Sequence, residues 1–243
     1  MKHNLKSDLE RLKNRGMPLE EDVKLLENKS LKELIKCLND DDAIIRTSAA
    51  INLKQYINKS KVCSSLLSQL SKEKSLYTKI AICETLQNGN IDTARKMTEY
   101  IGKIGDNQYK KLPEKVSLKK TYPMPRDIIA RTLSKMSIDT FPILIEVLES
   151  DDLMKVYEVI DAFGFMVFYN NNLSNDKNLN YIINLMDKYK DNKLVVWKCI
   201  TCLSAFNLEK SKYILKSFLN NDNKDILSLE AKRSLSILNK KIK

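Results

Sequence analysis

One spacing of small and branched residues constrains the fold more than any other feature of the chain. It runs from Asp40 through Ala43, Ile45, Arg46, Ala49 and Ala50 to Leu53, and it recurs five more times downstream. Ile45, Ala49, Ala50 and Leu53 lie at offsets 0, 4, 5 and 8, one stripe of a helix turning every 3.6 residues. Just upstream, Leu31, Leu34, Ile35 and Leu38 form a second stripe, and Asn39 to Asp42 supplies turn and N-cap chemistry between the two. The segment reads as an antiparallel helix pair.

The first stripe returns at Cys63, Ala94, Phe141, Leu179 and Ser211, and the second at Thr78, Pro125, Lys155, Val195 and Leu227, naming each copy by its opening residue. From first to last stripe residue the pairs span 22, 23, 39, 22, 24 and 24 residues, so only the third carries a long insertion. Two helices per unit, each burying its face against its neighbours, predict an all-α fold: an α-solenoid of six pairs over residues 31–243, preceded by a helical cap over 1–30. Lys232 in the last stripe and the polar tail from Asn239 suit a terminal repeat with a wet outer face.

Asp40 six positions before Arg46, followed by Ala49-Ala50 and Leu53, resembles the HEAT-type repeat, especially the short bacterial variety of phycobilisome-lyase-like proteins. The resemblance covers roughly residues 31 to 238 and implies a binding scaffold, since such arrays act mainly by presenting surfaces. It also implies a ladder in which a basic residue one place after each second stripe begins pairs with an acid from the turn. Here that means Arg46 with Asp40 and Lys79 with Glu73; Arg126 has Lys120 in the acid's place and is left available to a ligand.

A net charge of +11 raises the question of nucleic acid. Only seven of the 42 basic residues are arginine, so most of the charge is lysine spread over solvated faces. Five cysteines suit reduced thiols and a cytoplasmic location rather than a disulfide framework. Cys199-x-x-Cys202 has metal or redox spacing, but it lies mid-helix with no second pair, so no metal site is read there. No apolar run is long enough to span a membrane. With His3 as the only histidine and no glycine-rich phosphate loop, neither a histidine-based nucleophile nor a nucleotide cofactor is expected.

Two departures from the repeat mark candidate partner-binding surfaces. The insertion, residues 102–124, interleaves Tyr109 and Tyr122 with Lys110, Lys111, Lys119 and Lys120; with Arg126 it holds +5 of the total charge, which suits an anionic partner. On the second helices, Tyr157 and Trp197 fall off the core stripe toward the concave ridge, with Glu158, Asp161, Lys198 and Arg131 at matching offsets. Aromatics flanked by charges there make a recognition patch. A one-residue shift in register would instead turn both rings into the core.

The expected function is therefore a non-enzymatic protein-interaction scaffold with no cofactor. A nucleic-acid-binding role, in the manner of HEAT-like glycosylases for alkylated purines, is the alternative, with Trp197, Asp161 and Arg131 cast in its groove. A tetrapyrrole-handling role follows from the family resemblance alone.

Overall fold

The computed structural model describes residues 5–220 and 225–241; His3 and the end of the polar tail, Ile242 and Lys243, lie outside them. Among the described residues there are fourteen α-helices and no strand. Contacts divide the chain into two compact units, Met1–Ile104 and Gly105–Lys243, so the division falls at the start of the insertion.

The first unit contains α1 (Leu5–Lys13), α2 (Glu20–Lys24), α3 (Leu31–Cys37), α4 (Ala43–Asn52), α5 (Ser60–Lys72), α6 (Leu76–Leu86) and α7 (Ile91–Met97). Helix α3 starts where Ser30 and Glu33 form a capping box, and α4 starts where the Asp42 carboxylate accepts from the Ile44 N–H at 2.8 Å. Helix α4 packs on α2, α3 and α6. The segment before α3 is fastened to this core: Ser75 Oγ donates to the Arg15 carbonyl at 2.6 Å, and Asn52 Nδ2 donates to the Val23 carbonyl at 2.9 Å. Gly16 makes the turn with φ of +80°, a region that favours glycine.

The second unit opens with residues 105–127, which hold no regular helix, and continues with α8 (Ile128–Leu133), α9 (Phe141–Leu148) and α10 (Leu153–Tyr169). It ends with α11 (Asp176–Lys188), α12 (Lys193–Leu203), α13 (Glu209–Ser217) and α14 (Ile226–Lys241). Helix α10 packs on α8, α9 and α12, and α12 packs on α11 and α14. Side-chain oxygens of Asp127, Asp152, Asn175 and Asn192 cap α8, α10, α11 and α12.

The stripes are where the spacing put them. Ala49, Ile82, Ile129, Val159 and Cys199, at the same offset in five second helices, are all fully enclosed, while Lys232 is exposed. One tie repeats in both units. Thr85 Oγ1 donates to the Ala50 carbonyl at 2.7 Å in the first, and Ser234 Oγ donates to the Ile200 carbonyl at 3.1 Å in the second. Donor and acceptor occupy equivalent offsets in each case, so small hydroxyls there join one second helix to the next.

Candidate functional site

Helix α12 reads Lys-Leu-Val-Val-Trp-Lys-Cys-Ile-Thr-Cys-Leu, and every residue from Leu194 onward is buried. A helix buried on all sides needs a cover on the face a regular repeat would leave open. Residues 105–127 are that cover. Tyr109, Leu112 and Val116 pack against Leu194, Trp197 and Ile226, with Tyr157 and Leu227 at the edge. The two sequence-derived surfaces are thus one place, with the insertion lying on the recognition patch.

This corrects the expectation for Trp197, which is 6% exposed and meets the Tyr109 ring edge-on at 5.1 Å and 75°. Tyr157 is half-buried, its hydroxyl accepting from Asn192 Nδ2 at 2.8 Å. Glu158, Asp161 and Lys198 are also buried, so none of them belongs to an open wall. They form an ion cluster instead. Lys198, with none of its surface exposed, places Nζ 2.7 Å from Asp161 Oδ2 and 3.6 Å from Glu158 Oε1.

The electrostatics of the cluster follow from its enclosure. Burial works against the Lys198 ammonium, but Asp161 and Glu158 outweigh it and hold its pKa above the ordinary lysine value. For Glu158 burial prevails: with Asp161 and Asp127 adding repulsion, it overrides the attraction of Lys198 and lifts the carboxyl to about 7. Glu158 Oε2 and Trp197 Nε1 have no hydrogen-bond partner.

Over this cluster the insertion is clasped by Gln108 Nε2, which donates to Asp127 Oδ2 at 2.8 Å. Arg126, expected to be available to a ligand, is exposed but engaged. Its Nε donates to the Asn107 carbonyl, and its guanidinium lies 4.3 Å from the Tyr109 ring centroid, opposite in charge to the ring's π-face. Arg131 Nε donates to the Pro125 carbonyl at 2.9 Å and so braces the entry to α8. Tyr122, also read as a contact residue, is buried between Phe165 and Phe168 with its hydroxyl against α10. Gly164 makes that approach possible, since a Cβ there would lie 2.0 Å from the Tyr122 hydroxyl. Lys110, Lys111, Lys119 and Lys120 are exposed.

A second buried group went unread in the sequence. Glu230 Oε1 accepts from Thr201 Oγ1 at 2.9 Å and from Arg233 Nη2 at 2.6 Å, while Arg233 Nη1 donates to the Lys119 carbonyl at 3.2 Å. The Glu230–Arg233 spacing on one helix was the available signal. Cys199 and Cys202 are both buried, and burial raises both thiols well above their usual range, so neither is a ready nucleophile.

In the first unit the expected ladder is shifted. Arg46 does not pair with the Asp40 carboxylate: its Nε and Nη2 each lie 2.8 Å from the Glu73 carboxylate, and Nη1 donates to the Asp40 carbonyl at 2.8 Å. Glu73, expected opposite Lys79, is therefore held by Arg46, by Gln69 at 2.6 Å and by the Ser75 N–H at 2.8 Å. Burial pushes Glu73 up, but these donors outweigh it and bring the carboxyl down to about 2.

No known family matches the chain, and no curated protein does. Among solved structures it is similar to the crystal structure of an engineered protein, at 16% identity and a TM-score of 0.35, over 87% of this chain and 99% of that one. A likeness of that size assigns no family.

Proposed function

We propose that the chain is a non-enzymatic binding module, an α-solenoid of HEAT-like helix pairs that works in the cytoplasm by docking a protein partner. The observation that supports this best is the sealing of its reactive groups. Lys198, Glu158 and Asp161 would be the natural choice for acid-base chemistry, yet all three are buried and pair with one another beneath Tyr109. The shared offsets of the Thr85 and Ser234 ties support the repeat reading. Five free cysteines suit a reducing compartment.

The nucleic-acid alternative loses its stacking platform, because both tyrosines of the insertion are used internally. The test is affinity capture by the full chain from cell extract, with identification of what is retained, alongside binding to labelled duplex DNA at low salt. A protein retained at stoichiometric yield upholds the reading. Duplex binding that weakens steeply with added salt, with no protein retained, overturns it.

A further inference from the structure

The inward residues of the insertion fix where its outward residues stand. Tyr109, Leu112, Val116 and Tyr122 face the helices, and the backbone is tied at two points, at Asn107 just before them by Arg126 and at Lys119 between them by Arg233. Lys110, Lys111, Lys115, Lys119 and Lys120 are consequently displayed on the opposite side of an anchored strap rather than on a free loop. Residues 105–126 carry six cations against two carboxylates, Asp106 and Glu114. Among these lysines stands Leu118, which is 96% exposed, more than any other large apolar side chain among the described residues.

We propose that the outer face of this strap docks an acidic protein segment that places an apolar side chain against Leu118. The inference rests on the reading above and names the chemistry of the partner. Charge complementarity points to an anionic partner, and Leu118 narrows the class: a phosphate backbone has no apolar group to match it, whereas an acidic peptide supplies carboxylates and an aliphatic side chain together. Five of the six cations are lysines, which act as point charges, rather than the arginine forks that read base edges, and the sixth, Arg126, is engaged by the Asn107 carbonyl and the Tyr109 ring. No ring on the outward side is free to stack on a base.

The probe is a fluorescently labelled 15-residue Glu-rich peptide with one central leucine, titrated with the full chain and followed by anisotropy. We expect K119E/K120E to weaken binding by at least about tenfold, and Leu118→Ser, or leucine to alanine in the peptide, by roughly threefold. All substituted residues are exposed, and the urea unfolding curve of each variant, read by Trp197 fluorescence, checks that it folds as the parent does. The proposal is overturned if K119E/K120E leaves peptide binding unchanged. It is equally overturned if duplex DNA or phosphatidylserine vesicles bind more tightly than the peptide, or if Leu118→Ser has no effect. Should a protein still be captured from extract by K119E/K120E, the broader reading survives and this docking face does not.

Discussion

Replacing Lys198 by methionine tests the ion cluster most directly. The substitution preserves the aliphatic stem and removes the charge, leaving Asp161 without its 2.7 Å partner in a buried site. Breaking a buried pair by removing one member costs about 3–5 kcal/mol. The lower end applies here, because Glu158, already lifted to about 7, loses the attraction that holds it down and takes up a proton when Lys198 goes. A cost of about 3 kcal/mol is a large part of the stability of an ordinary domain. The assay is urea unfolding at pH 7 followed by fluorescence. Trp197 is the chain's only tryptophan and adjoins the cluster in sequence, so the signal reports on that place. The double variant K198M/D161L should recover most of the loss, since buried pairs replaced by apolar residues are often neutral. A K198M midpoint within about 0.5 kcal/mol of the parent, as expected of a surface lysine, would refute the reasoning.

Three further outcomes follow from the buried groups. Because the folded pKa of Glu158 is raised above the unfolded value, its contribution is fully present below about 4.5 and lost as pH rises through about 7; Glu158→Gln should flatten stability between those values, and an unchanged slope in urea midpoints would count against it. Glu73 has the opposite sign, its folded pKa lying near 2, so its contribution is present above about 4.5 and lost on acidification; Glu73→Gln should cost about 1–2 kcal/mol at pH 7 and level the acid limb, measured in the same way. Gly164→Ala should cost about 1–3 kcal/mol and push Tyr122 off α10, so trypsin should cut after Lys119 and Lys120 faster than in the parent; equal cleavage rates would show that Tyr122 does not anchor the strap.

The helices and their buried stripes were legible because they follow a local period: Ala49, Ile129 and Cys199 are enclosed at the offset the spacing assigns. The candidate site was legible in its residues and not in its arrangement. Trp197 was placed on an open wall because a repeat read alone leaves one face of each second helix free, whereas the cover comes from Tyr109, far upstream. That contact obeys no period. One sign was present in the sequence all the same: Lys198 sits inside an apolar run, and a lysine so placed requires a buried counter-charge. The Arg46 ladder failed for a related reason, since the acid that binds it lies 27 residues ahead on the next turn rather than six behind.

Enclosure from Leu194 to Leu203 leaves α12 little room for change in length. Deleting one residue would turn everything beyond it by about 100° about the axis, swinging an ammonium away from its carboxylates and an indole into a space shaped for a smaller group. Helix α13, with Tyr213 largely in solvent, has an outer side on which such a turn costs far less. Length variation among related chains should therefore collect around α13 and spare α12.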